Sequence, residues 1–257
     1  MRGKMKELIS SVKRDYLVEL ALQGKRVDGR ALDQYREVSV ERGVIGTAQG
    51  SALVKLGNTQ VMVGVKLEKG EPFSDTPASG ILVVNAELLP LASPTFEPGP
   101  PNEDAIELAR VVDRAIRESQ MIDLEKLCIK EGEEVWAVFI DIYVLDHDGN
   151  LIDASVLASV AALYDVKPPV VEGWTLPEFP VSKKPVAVTV VKLNGVMMVD
   201  GHLEEENIAE ARLTISTLEN GDICAMQKGG SGVFEREELE RAYELARKCG
   251  EELRKKL

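Results

Sequence analysis

Residues 135–166 read VWAVFIDIYVLDHDGNLIDASVLASVAALYDV, and the pattern changes twice within them. VWAVFIDIYVLD (135–146) is dense in apolar and β-branched residues and predicts a strongly apolar strand. DHDGN then supplies turn chemistry. DASVLASVAALYDV (153–166) predicts a helix of small residues, with Asp153 as its N-cap and Lys167-Pro168-Pro169 as its stop. A strand turning tightly into such a helix sets the scheme by which the flanking segments are read.

Upstream, SALVKLGNTQVMVGVKL (51–67) holds two β-rich runs around Gly57-Asn58 and predicts a hairpin. GEPFSDTPASG is loop, ILVVNAELLPLA a buried-type strand, and the Pro-rich SPTFEPGPPNED an irregular segment before a helix over about 104–120. At the N-terminus, Leu8, Val12, Tyr16 and Leu20 recur at helical spacing, Gly24 is the expected C-cap, and RVDGR (26–30) is a turn. Downstream of a connector, PVAVTVVKLNGVMMVD (185–200) predicts a hairpin with a type I′ turn at Asn194-Gly195. ARLTISTLENGDICAMQKGGSG gives two more strands turning at Asn220-Gly221, and EREELERAYELARKCGEELRKKL closes the chain as an amphipathic helix. Strands with two helices, then hairpins and a helix, make an α+β protein of two similar lobes. The expected divisions are an N-terminal helix over 1–25, a domain over 26–169, a connector over 170–184 and a second domain over 185–257.

The 257 residues are 44% hydrophobic, which suits a globular core rather than a disordered chain. Acidic residues outnumber basic ones 43 to 31, and the net charge of −12 argues against a free-standing general nucleic-acid binder. A local basic patch, or one completed by a partner, is compatible with that balance. Cys128, Cys224 and Cys249 are scattered and contain no CxxC pair, which disfavours both a disulfide framework and a thiolate zinc site. No stretch has the roughly twenty apolar residues needed to span a bilayer, and the charged N-terminus does not resemble a signal peptide. A cytoplasmic protein without membrane attachment is expected.

Three constellations could carry chemistry. At about 100° per residue, the 104–120 helix puts Arg110, Arg114 and Arg117 on one side and Ala105, Leu108, Ala109, Val112, Ala115 and Ile116 on the other. An arginine row can grip a polyanion through bidentate phosphate contacts. It can equally be a solvated face laced by Asp113–Arg117 and Arg114–Glu118 pairs, which spacing alone favours. His147 and His202 each stand among acids, in DHD and DGHLEEE, and a metal-dependent hydrolase would need them to converge with the carboxylates near 204–210. KGGSG (228–232) lacks P-loop spacing and reads as a turn or flexible connection.

Several segments together resemble the RNase PH family in order and spacing: RVDGR, GSALVKLGNTQVMVGV (50–65), ELARVVDRAIRES (107–119), the strand–turn–helix of 140–162, and the hairpin plus DICAMQKGGSG of 185–232. The resemblance covers nearly all of the chain after about residue 25. It implies an RNase PH-like (ribosomal protein S5 domain 2-like) fold with two β-sheet/helix lobes. Within that family of phosphate-dependent 3′→5′ exoribonucleases, the chain is most similar to the non-catalytic RNase PH-like subunit of the archaeal exosome ring. Active members hold phosphate with Gly-Ser/Thr-Arg at a turn into a buried helix, where backbone N–H groups, a hydroxyl and a guanidinium converge. Asn150, Leu151 and Ile152 fall at those positions, so the hydroxyl and the guanidinium are missing. Active members also carry two aspartates about a dozen residues apart; Asp200 matches the first and Arg212 stands in place of the second.

The resemblance thus implies no catalytic residue, metal or cofactor in this chain. The glutamates between Asp200 and Arg212 are expected to be a solvated loop. Arg110 and Arg114, with Arg117 as a weaker companion, match positions that contact single-stranded RNA. The implied partners are a catalytic RNase PH-like sister in a hetero-hexameric ring, three copies of each, and RNA-binding cap subunits. The alternatives are an autonomous phosphorolytic exoribonuclease and the metal-dependent hydrolase above.

Overall fold

A computed structural model describes residues 11–168 and 178–257. Helix α1 (Ser11–Leu22) leads into strands β1 (Val38–Arg42), β2 (Gly50–Leu56), β3 (Thr59–Gly70) and β4 (Ile81–Leu88). Helix α2 (Glu103–Glu118), strands β5 (Cys128–Lys130) and β6 (Glu134–Asp146) and helix α3 (Leu151–Leu163) complete the first half. The second half is β7 (Val186–Leu193), β8 (Val196–Val199), α4 (Leu203–Ile208), β9 (Ala211–Thr217), β10 (Ile223–Gly230) and α5 (Arg236–Arg254). The strands form a larger sheet ordered β1-β2-β3-β6-β4, with β5 also on β6, and a smaller antiparallel sheet ordered β10-β9-β7-β8. In the larger sheet only the β4–β6 pairing is parallel, and α2 lies between those two strands in the chain.

The strand–turn–helix at 134–163 organises both halves. β6 pairs along its whole length with β3 and, on its other side, with β4. Its alternate residues Val138, Ile140, Ile142 and Val144 are fully or almost fully buried. Helix α3 packs on β2 and β3 of the larger sheet, on β7 of the smaller one, and on α2. Enclosure on several sides explains its small residues: Ala154, Ala158, Ala161 and Ala162 let other backbones approach, and a helix apolar all round has no solvent face to present. One continuous core therefore joins the two sheets across α3.

Local expectations hold where turn chemistry is explicit. Gly24 N–H bonds the Ala21 carbonyl and Lys25 N–H the Leu20 carbonyl, both at 2.9 Å, a Schellman ending for α1. Asn194 and Gly195 have φ of +46° and +79°, as a type I′ turn requires. Leu56 and Thr59 close the hairpin at Gly57-Asn58. Other expectations are corrected. Helix α3 starts at Leu151 and its N-cap is Asn150 in a left-handed conformation, so Asp153 lies buried inside the first turn. The helix ends at Leu163, before the prolines. The buried face of α1 is Leu17 and Ala21 rather than Tyr16, which is exposed; Leu8 and the side chain of Val12 lie outside the described residues, as does most of the connector. β4 is an edge strand with only Leu82 and Ala86 buried.

KGGSG is not a flexible connection: Lys228, Gly229 and Gly230 end β10 in register with β9, where Gly229 faces Arg212. The supposed loop after Asp200 contains α4, and Glu205 within it is buried.

Candidate functional site

The turn from β6 into α3 is pinned from three sides. Thr59, fully buried at the start of β3, donates to the Gly149 carbonyl at 2.7 Å and accepts from Asp148 N–H at 3.0 Å. Asn58 Nδ2 reaches Asp148 Oδ2 at 3.1 Å. Gly149 has φ of +89°, and a Cβ there would stand 2.6 Å from the Gly201 carbonyl oxygen and from Leu203 N. Only glycine meets both demands, so the chain after Asp200 seats itself directly on the α3 turn.

Asp200 sits under that turn, fully buried. Its Oδ2 accepts from Arg30 Nη1 (2.8 Å), Arg36 N–H (2.8 Å) and Arg36 Nε (3.0 Å). Its Oδ1 accepts from Arg36 Nη2 (2.7 Å) and Asn150 Nδ2 (2.8 Å). Burial pushes the carboxyl up, but the Arg36 guanidinium outweighs it and the group stays below the ordinary aspartate range. Asn150 also bonds Asp153 Oδ2 at 2.8 Å. Asp153 further accepts from Tyr35 Oη at 2.5 Å and from the Thr189 N–H and hydroxyl, each at 2.8 Å. Burial nevertheless pushes Asp153 up to about 6.

The counterparts of the phosphate-binding positions therefore have other duties. Asn150 N–H donates to Glu206 Oε1 of α4 at 2.9 Å, a contact with the chain's own carboxylate. Burial pushes Glu206 up to about 7, against the pull of that N–H, Arg212 and Arg36. Ile152 is a core side chain. Asp200 and Arg212 do not form a working pair: Asp200 is held by Arg30 and Arg36, while Arg212 Nη2 reaches Glu107 Oε1 of α2 at 2.8 Å. Gln227 Nε2 of β10 approaches the same Glu107 oxygen at 3.3 Å.

The histidines stay apart in role. His202 Nε2 lies 3.2 Å from Asp148 Oδ1. His147 stacks on Phe96 with ring centres 5.3 Å apart, its Nδ1 accepts from Gly149 N–H at 3.4 Å, and burial pulls its pKa below the ordinary value. Among the described residues no group of three or more His, Cys, Asp or Glu side chains is placed to hold a metal ion. Glu205, one of the acids the hydrolase reading would use, is instead bound by Arg26 through Nε at 2.9 Å and through Nη2, and it also accepts from His202 N–H at 2.8 Å. Arg26, itself buried, further donates to the carbonyls of Val199 (2.9 Å) and Asp200 (2.8 Å).

The α2 arginines divide. Asn102 caps the helix by accepting from Ala105 N–H at 3.0 Å, and the apolar face is buried as its periodicity requires. Arg117 is engaged: Nη2 lies 2.7 Å from Asp113 Oδ1 and 3.0 Å from the Leu82 carbonyl of β4. Arg110 and Arg114 are exposed and meet no carboxylate among the described residues; the Arg114–Glu118 pair that spacing allows is not formed. With Val84, Ala109, Asp113 and Glu118 they line an open groove of about 240 Å³ between α2 and β4.

Sequence reasoning missed Arg26, Arg30, Arg36, Tyr35, Glu205 and Glu206 as members of one network. Two of the three arginines were visible in RVDGR, but their partners stand more than 160 residues away.

The model of the 3′ exoribonuclease family, domain 1, matches residues 34–169, and that of domain 2 matches 184–249. A protein of Methanocella arvoryzae, named exosome complex component Rrp42, is 52% identical over 254 residues, which cover 98% of this chain and 97% of that one. A chain of the Archaeoglobus fulgidus exosome with RNA bound to the active site superposes with a TM-score of 0.91 at 50% identity, over 95% of this chain and 97% of that chain. A chain of an archaeal exosome core does so with a TM-score of 0.88 at 44% identity, over 100% and 99%. Both family domains in order, and half-identity to relatives across nearly the full length, lead to one statement: the chain belongs to the RNase PH, or 3′ exoribonuclease, family.

Proposed function

We propose that this chain is a non-catalytic structural subunit of an archaeal exosome, a 3′→5′ phosphorolytic RNA-degrading complex. It completes the cleft of a catalytic RNase PH-like sister and holds single-stranded RNA there. The observation that carries this reading is the contrast between two sites. At the turn where active relatives bind phosphate, the N–H, carboxylate and guanidinium groups named above bind one another. On α2, by contrast, Arg110 and Arg114 stand beside an open groove with no carboxylate partner among the described residues.

Phosphorolysis needs an inorganic phosphate nucleophile held in line and a group to stabilise the departing 3′ oxygen. A turn with a core isoleucine in the guanidinium position and an arginine in place of the second acid supplies neither. Arg110 and Arg114 can each take a backbone phosphate through two N–H donors, which positions RNA without reading its bases. The net charge of −12 suits a subunit that forms one wall of a cleft whose other wall is contributed by a partner.

In this reading the half-units 26–169 and 185–257, joined by 170–184, take their place in a cytoplasmic hetero-hexameric ring with three copies of each subunit, under RNA-binding caps. The names of the relatives support the assembly, and the geometry of this chain supports the division of labour. The deciding experiment incubates the purified chain with single-stranded RNA and inorganic phosphate, alone and after assembly with the sister. Nucleoside diphosphates are expected only from the assembly; their release by this chain alone overturns the reading.

A further inference from the structure

We propose that Arg212 is a positioning residue for the RNA-binding face of α2. It acts as a strut between the smaller sheet and that helix, and is not merely the scar of a lost acid. The inference rests on the reading of Arg110 and Arg114 as the RNA contacts.

Glu107, Arg110 and Arg114 follow one another at i, i+3 and i+7, so they share one face of α2. Glu107 is the residue on that face which is tied to the other sheet; Arg117, one turn beyond Arg114, is tied to Asp113 and to β4 of the larger one. Arg212 Nη2 meets its Oε1 at 2.8 Å and Gln227 Nε2 approaches the same oxygen at 3.3 Å. One carboxylate on α2 thereby bridges β9 and β10, one turn before the first of the two RNA-facing arginines. Arg114 itself lies over the same strands, in a shallow depression with Gln227 and Met226.

Arg212 has a prepared bed. It pairs in register with Gly229, and a Cβ at Gly229 would stand 2.5 Å from its Nε and 2.9 Å from its Cγ. The arginine stem thus lies flat on the glycine backbone and the guanidinium is aimed along the strand surface towards α2. A lysine could reach the carboxylate but has no planar group to lie on this surface. The pair is about one-third exposed on each side, which makes it a weak contributor to stability and a sufficient one for orientation.

The test uses the chain assembled with its sister and a single-stranded RNA oligonucleotide, and measures affinity as a function of salt. Arg212→Ala is expected to weaken RNA binding about two- to fivefold, the effect of losing one partly exposed ion pair. The slope of log affinity against log salt should stay unchanged, because Arg212 itself holds no phosphate. Gly229→Ala, which displaces the arginine but removes no charge, should act in the same direction. The exchange Arg212→Glu with Glu107→Arg should restore affinity relative to Arg212→Glu alone.

Three results overturn the proposal: unchanged affinity in both Arg212→Ala and Gly229→Ala, a reduced salt slope in Arg212→Ala, or no recovery in the exchange. The first result, alongside a strong loss in Arg110→Glu/Arg114→Glu, removes the strut and leaves the RNA contacts standing. Wild-type affinity in the latter pair of substitutions removes both.

Discussion

Two regions of the molecule are rich in charge, and they use it in opposite ways. Around the α3 turn, Arg26, Arg30, Arg36, Asp153, Asp200, Glu205 and Glu206 are all engaged within the fold. On α2, Arg117 is so engaged, and Arg110 and Arg114 meet no carboxylate among the described residues. The first region has the density of an active site, yet its charged groups are held by one another as in a core; Asn150 Oδ1 is the network atom left without a partner among the described residues. The second has two ordinary surface side chains turned to a groove. In this chain exposed charges without an internal counter-ion among the described residues, not clustered charges, mark where a polyanion is to be sought.

The contrast predicts a steep gradient of stability effects. Asp200→Ala removes one fully buried carboxylate and strands the donors of Arg30, Arg36 and Asn150 together. Breaking a buried ion pair from one side typically costs about 3–5 kcal/mol, and urea denaturation should register a loss of that order. A loss below about 1 kcal/mol, the range of exposed pairs, would mean that water reaches this network and that the contrast with α2 is false.

Glu206 offers an intermediate effect with a distinctive pH dependence. Burial raises its carboxyl from the ordinary 4.5 to about 7, so the folded state prefers the protonated form. Its contribution is fully present below the ordinary value and is lost as pH rises through about 7. Glu206→Gln keeps an acceptor for Asn150 N–H and cannot ionise. The substituted protein should match the wild type at about pH 4 and exceed it at pH 8 by about 1–2 kcal/mol, given about 1.4 kcal/mol for each tenfold preference and the partial exposure of the side chain. A constant difference across that range would show that Glu206 is solvated in the folded state.

Much of the fold was legible in the sequence because its signals are local. The strand at 135–146, the type I′ turn at Asn194-Gly195 and the amphipathic α2 each depend on neighbours within a few residues. The α3 start was misread for the same reason: Asp153 is an ordinary cap by type, but Asn150 adopts the left-handed turn and long-range partners at Tyr35 and Thr189 claim the aspartate. The pairing of Arg26 with Glu205 spans 179 residues and leaves no periodic trace, so EEE read as a solvated loop. Arg212 was noticed for what it lacks, whereas its contact with Glu107 needs the two strands in register with Gly229 before it can be seen.

One detail within α2 was legible and went unused. Asp113–Arg117 and Arg114–Glu118 have the same spacing but opposite order. An acid N-terminal to its base is the better orientation, since it agrees with the helix dipole. The structure follows that preference: the first pair forms and the second does not. Asp113→Ala should therefore cost only about 0.3–0.5 kcal/mol, read as a small fall in melting temperature. It should also leave Arg117 held only by the Leu82 carbonyl and free of its carboxylate, with a modest rise in RNA affinity. Unchanged RNA binding would place Arg117 off the RNA path even when it is released.

The smallest effect on stability belongs to the substitution with the largest expected effect on function. Arg110→Glu with Arg114→Glu touches no ion pair among the described residues, and surface changes of that kind stay within about 0.5 kcal/mol. The same substitutions put two negative charges where two phosphates are proposed to sit. Each single-strand phosphate that is no longer neutralised lowers the salt slope by about 0.7. The slope for the doubly substituted ring should therefore fall by about 1.4, together with most of the affinity. Stability and RNA binding then move independently on α2, whereas at Asp200 stability itself falls by about 3–5 kcal/mol. If the double substitution destabilised the chain as Asp200→Ala does, Arg110 and Arg114 would be structural after all, and the difference between the two regions would be one of exposure alone.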